Sequence, residues 1–212
     1  ADAEAVATRL RTFVFRRKAA FAVRDDLHVG GAFQAAASAA RDRFARDADG
    51  TLELDVGTAD QPRTLRIGSA SNTEDAHALA RWRAFDLAHG LPRLPASQSE
   101  HWTPQQLSLD RLRAYSVKKG CYPGQEIVAR THFLGQAKRH LALLQTQAPI
   151  AIGDEVAEDG RAAGTVLSTA FQPGGTAHHL ALAVLPLERG EAPLRIAGVP
   201  AEAAPLREGL AR

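Results

Sequence analysis

Apolar and polar positions along this chain follow two periods, and the switch between them comes about two thirds of the way through. Near the start, Val6, Leu10, Phe13 and Val14 fall on one helical face with Arg9, Arg16 and Arg17 off it, so the opening residues read as an amphipathic helix. Residues 19–29 have an extended pattern that Gly30 and Gly31 break, and residues 32–46 carry alanine and arginine in helical amounts. TLELDVG at 51–57 and RTLRIGS at 63–69 alternate and predict strands. Ser71 and Glu74 have capping-box spacing. A helix is expected from there to about His89, with Gly90 closing it, Pro92 beyond, and Leu79, Trp82 and Phe85 as its buried stripe.

Three prolines among Ser, Gln and Thr make 92–108 irregular, and Thr103-Pro104 suits the start of a short helix. YSV at 115–117 is strand-like, KKGCYPG at 118–124 is a turn, and QEIVARTHFL at 125–134 fits three helical turns that Gly135 can close. After Lys138 the texture changes. HLALLQTQ, GDEVAEDGRAAGTVLSTA, HHLALAVLP and PLRIAGVP are short apolar or alternating runs separated by Gly, Pro and Asp-Gly, the spacing of a small antiparallel barrel. The expectation is an α+β protein: an α+β domain over 1–137 and a β-barrel over 138–212.

Composition narrows the function classes. Of 212 residues, 45% are apolar and 24% charged, the balance of an ordinary globular protein and not of a disordered or fibrous chain. A net charge of +2 is too small for a chain that coats nucleic acid. The 22 Arg and 4 Lys place most positive charge on planar groups suited to carboxylate or phosphate. One cysteine excludes an intrachain disulfide and a complete multi-cysteine metal centre. The absence of a long apolar stretch predicts no transmembrane helix, no signal peptide is visible, and a cytoplasmic location is expected. Methionine is absent and the helical pattern is under way at Ala1, so residues upstream are expected.

The chemistry concentrates at Cys121. It follows Lys118, Lys119 and Gly120 and precedes a helix start, so two ammonium groups and unpaired backbone N–H groups favour thiolate over thiol. Gly120 and Gly124 permit close backbone approach or unusual dihedrals. This suits a reactive cysteine in a tight turn; a small cysteine filling a corner fits the charge pattern as well. Glu126 and Arg130 stand four residues apart, which serves an intrahelical pair or a ligand grip. Tyr122 suits stacking on a flat ligand or core packing. Adjacent strand residues such as His178 and His179 point to opposite faces, which argues against a metal there.

Residues 119–130, KGCYPGQEIVAR, resemble the signature of the YgfZ family of folate-binding proteins, K-G-C-(F/Y)-x-G-Q-E-x-x-(A/S)-R. The flanks agree. TPQQLSLD at 103–110 resembles the family's P-Q-x-L-N-L-D, with Ser108 in place of Asn, WRAFDLAHGLPRL at 82–94 resembles the helix ending in a G-(I/L)-P turn, and HFLGQAKRHL at 132–141 resembles the lead into its C-terminal barrel. The likeness starts partway into the family's pattern, so an N-terminal α/β segment is expected to be missing.

The resemblance implies the fold of the glycine cleavage T-protein, a folate-binding α+β core followed by a small barrel, with tetrahydrofolate as ligand. It implies a role in assembly or repair of iron–sulfur enzymes, which would be the partners, and through them an effect on tRNA modification. By motif match, Cys121 and Lys119 become the candidate catalytic pair, and Gly120, Tyr122, Gly124, Gln125, Glu126 and Arg130 the candidate ligand-binding set, with no metal of their own. The alternative is a tetrahydrofolate-dependent aminomethyltransferase. Against it, Ala88 stands where the T-protein has its pterin-reading glutamate, with Asp86 and His89 nearby, and the T-protein's catalytic aspartate lies in the missing segment. Folate binding by this chain is therefore expected to be weak or absent. A direct RNA-binding module ranks third, because only 6% of residues are aromatic.

Overall fold

Alternation produces strands where TLELDVG and RTLRIGS predict them. In the computed structural model these are β3 (Leu52–Asp55) and β4 (Thr64–Gly68), paired antiparallel with Leu54 opposite Leu65. The model describes residues 3–14, 18–71, 73–122, 124–135, 137–174 and 178–211. Contacts divide the chain into two units, residues 1–73 and 74–212.

In the first unit, α1 (Ala3–Arg11) precedes a four-stranded antiparallel sheet of order β1-β4-β3-β2, completed by β1 (His28–Ala32) and β2 (Ala45–Arg46). Two expectations are corrected here. Gly30 and Gly31 do not break the chain but lie inside β1, opposite Arg66 and Leu65. Residues 33–44 form no helix. Carboxylates from β3 take the amides a helix would have used: Glu53 accepts from Ser38 N (2.7 Å) and Ala39 N (3.0 Å), and Asp55 from Arg41 N (3.1 Å). The bonds from Ala39 and then Ser38 hold the Glu53 carboxyl below its ordinary pKa. The apolar face expected of the first helix is exposed: Val6, Leu10 and Phe13 are open to solvent, and Ala7 is the buried position.

The second unit begins with α2 (Ala76–Ala88). The helix is capped by Asp75, which accepts from His77 N and Ala78 N, and not by the Ser71–Glu74 box. Gly90 follows with φ +70°, as its place after the helix predicts. Burial falls on the last turns: Phe85 is buried as expected, with Leu79 and Trp82 only half-buried.

A closed antiparallel barrel of order β10-β5-β8-β7-β6-β9 lies in the later part of this unit. Its strands are β5 (Arg139–Thr146), β6 (Glu155–Glu158), β7 (Arg161–Gln172), β8 (His178–Pro186), β9 (Leu194–Ile196) and β10 (Val199–Ala204). The first barrel strand thus begins beside residue 138. β8 is buried on both faces, which is why its sequence reads as a continuous apolar run. Ala181, Ala183 and Leu185 join Leu144, Val156, Val166 and Ile196 in one cluster, while Leu180, Leu182 and Val184 join Leu141, Leu143 and Leu167 in the other. Ala84 and Leu87 of α2 belong to the second cluster, which places α2 on β7 and β8. Two-residue turns with both φ positive, Asp159-Gly160 and Ala197-Gly198, join β6 to β7 and β9 to β10.

Candidate functional site

Cys121 lies in the irregular stretch that leads into α3 (Gln125–Leu134). The helix starts where the Q-E-I-V pattern predicts. Its N-cap is Gly124 at φ +82°, a left-handed conformation that only glycine adopts without strain. No side chain caps this end. The preceding YSV segment is irregular, correcting the strand expectation: Ser116 turns inward on its own neighbours, its Oγ accepting from Lys118 N (3.2 Å) and its carbonyl from Tyr122 Oη (3.3 Å).

The thiol of Cys121 is exposed. Lys118, Lys119 and Gly120 are exposed beside it. Gly120 has neither a positive φ nor a crowded surround, since a Cβ there would meet nothing within 4 Å. The fold therefore does not require glycine at 120, and its effect is to leave the backbone next to the thiol open to approach. Gln125 donates from Nε2 to Lys119 O (3.1 Å) and its amide to Tyr122 O (3.1 Å), tying the helix start back across the turn.

Glu126 and Arg130 are exposed on α3, and none of the ion pairs among the described residues joins them. Their face of the helix also carries Ile127 and Leu134, with Phe133 at its edge, all exposed. The opposite face holds the helix in place: Val128 is 5% exposed, and its carbonyl accepts from Gln105 Nε2 at 2.8 Å.

Sequence reasoning did not single out Gln105. Its signal was the neighbouring Thr103-x-x-Gln106, which forms a reciprocal cap: Gln106 Oε1 accepts from Thr103 N (2.9 Å), and Thr103 Oγ accepts from Gln106 N (3.3 Å). A run of turns follows in place of the expected short helix. Ser108, at φ +50°, ties this run to the barrel by accepting from Leu141 N (3.1 Å). Tyr115 was not singled out in the sequence either; burial, then Asp110 and Tyr122, push its phenol above the ordinary value and keep it neutral.

The arrangement presents one accessible thiol between lysines and a charged helix face. Among the described residues, no group of three or more His, Cys, Asp or Glu side chains is placed to hold a metal. Cys121 can therefore act as a nucleophile, a redox thiol or one ligand of a centre shared with another protein.

The chain is 39% identical to "tRNA-modifying protein YgfZ" of Aliivibrio fischeri over 119 residues, 53% of this chain and 36% of that protein. It is 34% identical to the protein of the same name from Colwellia psychrerythraea over 133 residues, 56% of this chain and 41% of that protein. Over the aligned half, the chain is similar to YgfZ proteins. A third relative of that name, from Serratia proteamaculans, is 40% identical over 102 residues. The matched stretches span less than half the length of these YgfZ proteins. No family model matches the chain. No helix among the described residues is long and apolar enough to cross a membrane.

The folate that the YgfZ resemblance implies can be tested against one position. Ala88, where the T-protein likeness places the pterin-reading carboxylate, is 6% exposed, and its carbonyl accepts from Arg207 N at 2.8 Å. A buried methyl group neither accepts from a pterin nor leaves it room. The residues at this position do not fit a pterin, so no step is routed through folate below.

Proposed function

We propose that this chain acts as a YgfZ-type accessory protein that supports iron–sulfur enzymes, tRNA-modifying ones among them, through the thiol of Cys121. The observation that carries the reading is the pairing of an exposed thiol with a glycine the fold does not require. A buried corner-filling cysteine would need neither exposure nor an open neighbour. The name of the relatives, tRNA-modifying protein, supports the process in which it acts.

In this reading Lys118 and Lys119 flank the thiol, Gln125 fixes the turn against the helix, and Glu126 and Arg130 form part of the surface that a client enzyme meets. This chain binds tetrahydrofolate weakly or not at all, which calorimetry decides. A T-protein-like arrangement of the preceding α+β region, and action in the cytoplasm, belong to the same proposal. Aminomethyl transfer is the less favoured reading because of Ala88.

Loss of the gene in its own host tests the accessory role. Activities of iron–sulfur enzymes that never touch RNA should fall together with the tRNA modifications made by iron–sulfur enzymes. A defect confined to tRNA, with the other enzymes at full activity, would mean that the protein acts on RNA directly.

A further inference from the structure

The barrel closes unevenly. β10 pairs with β5 only at Leu143, Leu144 and Gln145, and Pro205, which lacks an N–H, follows the last paired residue. Upstream of Leu143 the same edge of β5 is served by a side chain, with Leu141 N donating to Ser108 Oγ. The gap is a cavity of about 360 Å³, within the size range of small-molecule sites. Its walls are largely apolar, including Leu141, Leu143, Leu185 and Leu206.

Four polar side chains reach this cavity, and two of them are already engaged at every nitrogen or oxygen. Arg111 donates from Nε to Glu208 (3.2 Å), from Nη1 to His89 O (3.0 Å) and from Nη2 to Arg207 O (2.6 Å). Ser108 is engaged with β5. The other two are not. His140 Nδ1 is buried and has no partner among the described residues. Arg189 uses Nη1 on Glu158 (3.1 Å) and on Gly190 O (3.3 Å), and among the described residues its Nε and Nη2 have no partner. Burial, and then the charge of Arg189, lower the His140 pKa, so the imidazole is neutral near pH 7 and can donate one hydrogen bond from Nδ1.

We propose that this seam binds a small monocarboxylate with an apolar tail. The carboxylate takes the unused Nε–Nη2 edge of Arg189 and the Nδ1–H of His140, and the tail lies against the leucines. A bidentate guanidinium edge matches a carboxylate in shape. A phosphate dianion suits the site less well, because Glu158 already balances part of the Arg189 charge.

Titrating the whole chain with hexanoate, and separately with inorganic phosphate, tests this by NMR of the His140 ring and of the amides lining the seam. Hexanoate should give saturable shifts confined to these residues, and phosphate should not. Arg189→Gln should weaken hexanoate about tenfold or more, the scale of a lost charge-assisted pair. Ala203→Glu, at an exposed position on the rim, should weaken it similarly without disturbing the barrel. The absence of a saturable hexanoate shift, phosphate binding as tight as hexanoate, or unchanged hexanoate binding in Ala203→Glu would each overturn the proposal.

Discussion

Helix α3 carries Glu126 and Arg130 of the motif, yet little holds it in place. Ten residues are too few for a stable helix in water, and its first residue is capped by no side chain. Its ordered state therefore rests on packing, and Val128 is its one buried residue. Val128→Ala removes two methyl groups from a site that is 5% exposed. At ~0.8 kcal/mol per buried methylene-sized group this is about 1.5 kcal/mol, and an unfilled cavity raises it toward about 2. The barrel core lies elsewhere, in β5 to β10, so the loss should appear as local opening of α3 and not as global unfolding. Hydrogen exchange of the α3 amides should then speed up about 10- to 30-fold, since ~1.4 kcal/mol is a factor of ten. The main unfolding transition should hardly move. Gln105→Ala should give a smaller effect in the same amides, because it removes only the bond to Val128 O. Unchanged exchange in Val128→Ala, or a fall in global stability equal to the local one, would refute the claim that this contact orders the helix.

Three further outcomes follow from the fold. Ala197 holds φ +47° at the first position of the β9–β10 turn, so Ala197→Asn should raise stability by about 0.5–1 kcal/mol in thermal or urea unfolding. Gly164→Ala should destabilise the barrel by about 2 kcal/mol or more in the same assays, because the new Cβ would lie 2.3 Å from Val184 O and 2.6 Å from Leu185 Cδ2. Glu53 has its pKa lowered by the amides of Ala39 and Ser38, so its contribution is present above its ordinary value of 4.5 and is lost as the pH falls through the lower folded value. Exchange of the Ser38 and Ala39 amides, corrected for intrinsic pH dependence, should lose protection in that window, and Glu53→Gln should remove the dependence.

Where periodicity and punctuation agreed, the sequence carried the structure. α3 begins at Gln125, Gly90 adopts the conformation its place demands, and the alternating runs after Lys138 close into a barrel. The largest failure comes from side chains that bond to backbone far away in sequence. Residues 33–44 have helical composition, but Glu53 and Asp55 capture their amides from 14 or 15 residues away, which no local pattern reveals. The apolar face of the first helix was legible as a face, and composition alone could not show that it lies open. At the site, the helix start follows from the K-G-C-Y-x-G-Q-E spacing, while the exposure of Cys121 decides between two readings that the local pattern left equal. The anchor from Gln105 to Val128 joins residues 23 apart and was not legible.

The central claim is that the Cys121 thiol performs the function and does not shape the fold. Its most direct test replaces Cys121 by Ser, and separately by Ala, in the intact protein, in cells lacking any other copy. Nucleosides whose modification needs iron–sulfur enzymes are quantified by mass spectrometry, with unfolding of the purified variants measured in parallel. The account predicts that both variants fall to the level of cells without the protein while unfolding as the parent does, because an exposed side chain contributes little to packing and a hydroxyl is a poor nucleophile and soft-metal ligand. Full modification with Cys121→Ser would contradict it.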